Sequence, residues 1–449
     1  MRNFRLYLSL TALIGAALLG SVAARAGGDR DGRGETHARA DRDKDARADR
    51  DNSDRERDAR DDEDKDSDTV GPTVLRTHLV SNLPGAAAVL DPNLVNPWGI
   101  AESSGSPFWI SDNNAGVATL YSVPGASNTP VSVNGLVVSI PAPGDPLGTS
   151  GTPTGAVFNI NGGAQGGFRI SGFTKTGAPT SASAIFLFAT EDGTIVGWNP
   201  GVNPPGFDPA KAGTYGIVAV DNSVNPTVAS GAVYKGLAIA QAKDASGNTN
   251  TFLYATNFRA GTVEVYDNTF TPPKNLPQDA FTDPHLKAGY APFNIVAVGG
   301  KLFVTYAVQN AAKHDDVAGP AHGFVNTFDL SGGSLQRFTQ HGHLNSPWGL
   351  APAPASFGQF AGDILIGNFG DGRINTFDPG TGEFLGTVVN PTGQEIRIDG
   401  LWSLKVGNGG AGGNTQTIYF TAGPNGEKDG LFGSLTPVAP GSPCGPYCF

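Results

Sequence analysis

The stretch GRINTFDPG, residues 372–380, opens on a Gly, runs to the large apolar Phe377 and leaves through Asp-Pro-Gly. Alternation inside such a segment marks a half-buried strand, the Gly supplies the turn that delivers it, and Asp-Pro-Gly turns the chain out again. Recurrence decides the fold. GVATLY (116–121), GTIVGW (193–198), GTVEVY (261–266), GFVNTF (323–328) and GLFGSL (430–435) keep the same register, at intervals of 77, 68, 62, 49 and 58 residues.

Just upstream of each copy lies a second apolar segment: FWISD (108–112), FLFATE (186–191), FLYATN (252–257), LFVTY (302–306), ILIGN (364–368) and IYFTA (418–422). Further upstream comes a third, rich in small residues: NPWGIA (96–101), GAVFNI (155–160), KGLAIA (235–240), APFNIV (291–296), NSPWGLA (345–351) and GLWSLKV (400–406). Each unit therefore holds at least three short strands in one order, with VNGLVVSI (133–140) and GEFLGTVV (382–389) as candidate fourth strands. Short strands repeated in units of this size predict an all-β fold, a single β-propeller over residues 71–438. Six blades fit the count; seven is the alternative, because the interval from Gly116 to Gly193 is long. The chain ends soon after the third strand of the sixth unit, and VLRTHLVS (74–81) stands spare before the first. This N-terminal strand is expected to close the last blade and remove its exposed edge.

The Trp residues take their meaning from this frame. Pro-Trp-Gly occurs twice, at Trp98-Gly99 and Trp348-Gly349, and Trp402 holds the corresponding place in the last unit. The first strand of a blade runs beside the central channel, where Gly permits close backbone approach and Trp wedges between blades. A stacking surface for sugars or aromatic ligands is the other reading of these rings.

The two ends of the chain are of other kinds. Residues 1–26 combine Arg2 and Arg5, an apolar run from Leu6 to Leu19 and Ala24-Arg25-Ala26, the three parts of a signal peptide; this predicts a secreted or periplasmic protein with no transmembrane segment in the mature chain. Residues 27–70 form a charged spacer: from Asp29 to Asp68 there are 17 acidic and 11 basic residues, with almost nothing to bury, and disorder is expected. Residues 439–449 are a tail with Cys444 and Cys448, which could close a small ring, stay free or pair between chains. From residue 70 onward 24 acidic residues face 16 basic ones, and no basic stripe is present, which argues against nucleic acid as a partner. A protein, glycan or small-molecule ligand outside the cytoplasm fits better.

Chemistry has fewer signals. The second strands end on Asp112, Glu191, Asn257 and Asn368, a potential rim of oxygen donors suited to Ca2+ or Mg2+. Ordinary Asx turns explain each of them individually. The loop AKHDDVAGPAHG (312–323) concentrates His314, Asp315, Asp316 and His322, weak candidates for metal binding or for a general acid/base pair, and is expected to wall the same mouth. His341 and His343 have spacing compatible with two ligands on one strand face. No nucleophile elbow, phosphate loop or HExxH motif names a reaction, so whether the chain is an enzyme stays open.

Several longer stretches carry a resemblance: THLVSNLPG (77–85), NPWGIA, GYAPFNIV (289–296), KHDDVAG (313–319), LNSPWGLA (344–351), GNFGDGRINTFDP (367–379), DGLWSL (399–404) and YFTAGPNGEKDGLFG (419–433). Together, over residues 74–437, they resemble an uncharacterised family of exported bacterial proteins with an NHL-like propeller fold. The resemblance implies the fold and no activity. Propellers of the gluconolactonase type offer a wider analogy, holding a divalent metal in the channel with Glu, Asn and Asp; by residue type this points to Glu191, Asn257, Asn368 and Asp399. The function that follows is a secreted binding or scaffold protein, with a divalent-metal-assisted hydrolase or lactonase as the alternative.

Overall fold

The computed structural model describes residues 70–444, apart from 126–129, 165, 225–226 and 244–247. The predicted signal peptide and nearly all of the spacer lie outside these residues. The described chain is all-β, its helical turns reaching six residues at most. Cys444 is disulfide-bonded, while residues 445–449 lie outside the description.

Six units follow one another, each led by an innermost strand: Pro97–Ala101, Pro153–Phe158, Tyr234–Lys243, Tyr290–Val298, Pro347–Pro352 and Leu401–Val406. Each innermost strand is the edge of its sheet and pairs antiparallel with the second strand, which pairs with the third. The Gly residues of the sequence register stand immediately before, or one residue from, the third strands. Gly116, Gly193, Gly261 and Gly372 have φ of 64° to 81°, the left-handed region the tight turn requires. The third unit has three strands, and the second carries an inserted hairpin, Arg169–Phe173 with Pro179–Ser183. The candidate fourth strand near residues 133–140 is two fragments, Ser132–Val133 and Val138–Ser139, whereas Phe384–Val389 is a full one.

Val70–Ser81 pairs antiparallel with Leu431–Pro437, from Val74 opposite Pro437 to Ser81 opposite Leu431. Its start also pairs in parallel with Phe384–Val389, which joins the fifth and sixth units into one nine-stranded sheet.

All six innermost strands break register at the same place, a recurrent bulge spanning positions 98–99, 154–155, 235, 293, 348 and 402–403. A bulge re-aims the side chain it carries. At these positions stand Trp98, Thr154, Lys235, Phe293, Trp348 and Trp402, all buried. Their next residues lie against the following unit: a Cβ on Gly99 would sit 2.5 Å from Thr154 O, and one on Gly349 2.6 Å from Trp402 O. Side chains tie the units across these gaps, Thr154 Oγ1 donating to Tyr234 O, Thr256 Oγ1 to Phe293 O and Asn294 Nδ2 to Trp348 O. Thr421 Oγ1 of the sixth unit donates in the same way to Trp98 O of the first.

Candidate functional site

The bulge residues build a buried aromatic layer. Trp98 and Trp402 stack with centroids 3.5 Å apart, Phe369 stacks on Trp402 at 4.0 Å, and Trp348 meets both tryptophans edge-on at 6.0 and 5.8 Å. Trp402 Nε1 donates to Asn96 Oδ1, and Trp348 Nε1 to Lys235 O. Pairs of this kind contribute about 0.5–1.5 kcal/mol each beyond area burial, so the layer is a rigid floor.

Lys235 takes the bulge position of the third unit, where the first, fifth and sixth units place Trp. Its side chain is 3% exposed, and its ammonium lies 5.0 Å from the centre of the Trp98 ring. A buried ammonium needs partners. It finds Glu191 in a close ion pair and Asp315 at 3.4 Å. Burial alone would lower the Lys235 pKa; Glu191 first, then Asp315 and Asp316, outweigh it and hold the group above its usual value.

Around this pair the turns converge. Glu191 Oε2 accepts from Asn113 Nδ2 at 2.9 Å. His314 Nδ1 lies 2.7 Å from Asp315 Oδ1, and Asp315 Oδ2 accepts from Asn310 Nδ2. Asp315 is held down at about 2, by the His314 hydrogen bond first and by Lys235 further, against its partial burial. Asp316 is raised by burial, with Ser346 and Lys235 pulling the other way, and its Oδ2 is buried without a hydrogen-bond partner among the described residues. Glu427 accepts from Asn96 Nδ2 at 2.8 Å and is raised by burial, with the charges of Glu191 and Asp316 adding to the shift. Four carboxyl groups thus surround one ammonium, so acidic groups outnumber the cation. Carboxyls pushed apart in pKa within one cluster can hold and release protons at different pH, the arrangement acid–base chemistry requires.

The backbone here is strained. Asn96, Ser346, Asn425 and Glu427 have φ of 48°, 47°, 60° and 66°. Non-glycine residues in this region cost about 1–3 kcal/mol each and cluster at functional sites.

Of the rim expected from the sequence, Glu191 joins the 312–323 loop at Lys235, and His314, Asp315 and Asp316 come with that loop. The other rim residues have separate partners. Asp112 is fully buried, accepts from Thr119 Oγ1 at 2.7 Å and has its carboxyl raised by burial. Asn257 serves a turn, its Oδ1 accepting from Ala260 N while Nδ2 donates to Glu264. Asn368 Nδ2 donates to His343 O and Asp371 Oδ1, and Asp399 Oδ2 accepts from Asn425 N. His322 pairs with Val317 O, His341 with Ala321 O, and His343 stacks on Phe384.

Glu191, His314 and Asp315 bring ligand atoms within 4.8 Å of one another, the spacing of a potential metal site. Both oxygens of Glu191 and both of Asp315 already accept from protein donors, and Lys235 stands among them as the cation.

Sequence reading misses Lys235 as a site residue, while Glu427 stands in the acidic run 425–429 that the sequence places in the same loops. The signal for Lys235 is present in retrospect: aligning NPWGI, YKGLA, SPWGL and LWSL puts a lone Lys in the Trp column, each time one residue before a small one.

An all-β chain of repeated sheets with a closed-off aromatic centre is propeller-like, and its comparisons are as follows. It is 31% identical over 360 residues to an uncharacterized protein of Acanthamoeba polyphaga mimivirus, covering 80% of this chain and 79% of that one. A second uncharacterized protein of the same virus is 32% identical over 362 residues, covering 80% and 84%. The chain belongs to the family of these mimivirus proteins. The expected exported bacterial relatives are thus replaced by viral ones, none with an assigned activity. No family model matches. Among solved structures, a glucose dehydrogenase overlaps at 11% identity and a TM-score of 0.44, covering 82% of this chain and 100% of that one. A streptogramin B lyase overlaps at 10% and 0.39, covering 83% and 100%. No helix among the described residues is long and apolar enough to cross a membrane.

Proposed function

We propose that the chain is an exported ligand-binding protein, a single closed β-propeller of six blades, whose mouth takes a ligand through a positively charged group. The observation that carries the binding reading is the acidic ring of Glu191, Asp315, Asp316 and Glu427 around the buried Lys235, left with an excess of negative charge. An incoming ammonium or guanidinium relieves the mutual repulsion of those carboxylates. The strain at Asn96, Ser346 and Glu427 supports a site held in place for a purpose.

Closure is supported by three features. Each innermost strand packs on the next, and Leu401–Val406 packs on Pro97–Ala101. The Thr421–Trp98 bond repeats between the last and first units the tie made between others. Val70–Ser81 supplies the outer strand of the last unit. Export rests on residues 1–26 of the sequence alone.

A divalent ion is the competing occupant, favoured by the grouping of Glu191, His314 and Asp315; it is the reading that would lead to a Ca2+- or Mg2+-assisted hydrolase or lactonase. Calorimetric titration with spermidine, with CaCl2 and with MgCl2 separates the two. Spermidine binding that persists in chelator and is lost in the double variant Asp315→Asn, Asp316→Asn supports the binding reading. Binding of Ca2+ or Mg2+ together with chelator-sensitive lactone or ester hydrolysis would replace it.

A further inference from the structure

The innermost strands continue past the aromatic layer toward their far ends and enclose a channel of about 520 Å³, within the roughly 300–1,000 Å³ that small-molecule pockets occupy. Trp348 and Gly99 line its inner end, and Trp348 meets the stacked Trp98 and Trp402 edge-on. At the other end Ala297 and Gly299 are exposed, and Ile160, 46% exposed, forms an apolar lip.

Aliphatic residues contribute to its lining, Val157, Ile239, Val296, Leu350 and Leu404 among them, together with Asn294, Ser403 and the free edges of the innermost strands. Two charged residues reach it, Glu102 and Lys405, one residue past and near the end of their strands. They face each other without forming an ion pair, and the Lys405 ammonium has no hydrogen-bond or salt-bridge partner among the described residues. A cation without a hydrogen-bonded partner beside a channel with aliphatic residues in its wall is half of a recognition device. The missing half is an anion attached to an apolar body.

We propose that this channel is a second binding site, for an apolar monocarboxylate of the fatty-acid type, whose chain enters toward Trp348 and whose carboxylate meets Lys405. Chain burial supplies affinity at about 0.8 kcal/mol per buried CH₂, and the charge-assisted hydrogen bond to Lys405 supplies head-group selectivity. The site lies on the other side of the aromatic layer from the acidic mouth and does not depend on it.

The test is titration of the full chain with octanoate, octylamine and octanol, read by calorimetry and by tryptophan fluorescence, since Trp348 lines the channel. Octanoate is expected to bind most tightly, and Lys405→Met to weaken it by about tenfold while leaving octanol unchanged, the loss of one charge-assisted contact. Asp315→Asn at the opposite mouth is expected to leave octanoate binding intact, so that failure of the mouth reading does not touch this one. Narrowing the open end with Ala297→Trp, at an exposed lining position outside the left-handed backbone region, is expected to weaken all three ligands. Equal binding of octanoate and octylamine, no octanoate binding at millimolar concentration, or indifference to Lys405→Met would each overturn the proposal.

Discussion

Lys235 shows how one side chain sets the character of a site. Its ammonium is buried on an aromatic ring and survives as a charge because Glu191 and Asp315 meet it. Removing one member of a buried pair leaves the other uncompensated, at a cost of about 3–5 kcal/mol, whereas removing both costs far less. Lys235→Met is therefore expected to destabilise strongly, and adding Glu191→Gln to restore part of the loss. Denaturant unfolding of the two singles and the double checks this; additive effects would show that the pair is not coupled. Glu102 gives a pH signature. Burial pushes it up to about 8 from 4.5, with Lys405 pulling back. The folded chain thus keeps a proton that the unfolded chain has lost across that window, so stability falls as pH rises from about 4.5 to about 8. Thermal midpoints of Glu102→Gln should decline less over the same range, and parallel curves for the two proteins would contradict the assignment.

At the scale of the element, the recurrent bulge in the innermost strands fixes both the aromatic layer and the approach of neighbouring units. Gly99→Ala sets a Cβ against the Thr154 carbonyl, an overpacking expected to cost about 1–3 kcal/mol. Gly105→Ala, with nothing within 4 Å, should stay within about 0.5 kcal/mol of the parent. Equal unfolding midpoints for the two variants would refute close packing at the bulge. The sequence makes these strands legible because period, Gly and Pro act locally: GRINTF and its five counterparts each locate a third strand. The hairpin of Arg169–Phe173 and Pro179–Ser183 is not legible, since RISGF and PTSAS are short and polar-interrupted, and only pairing with each other makes them strands. The site is legible in part for the same reason. The polar residues at second-strand ends look alike in sequence, yet Glu191 turns to Lys235 while Asn257 serves its own turn and Asp112 is enclosed by its own sheet. For Glu191 the direction is settled by Lys235, 44 residues away, which no local pattern announces.

For the whole molecule, a strand from the start of the described chain holds the end of it. Deleting residues 70–81 would bare the edge of Leu431–Pro437. A lower thermal midpoint and concentration-dependent association in light scattering are expected, since unpaired edges recruit other chains. A monodisperse variant as stable as the parent would contradict the role given to this strand. We propose that the fold brings distant turns together into one acidic mouth poised for a cationic group. The direct measurement is a crystal structure of the full chain soaked in spermidine. An ammonium of the ligand in contact with at least two of Glu191, Asp315, Asp316 and Glu427, with Lys235 still paired beneath, is the predicted result. Spermidine found elsewhere, or not at all, with none of its ammonium groups on these carboxylates, would contradict it.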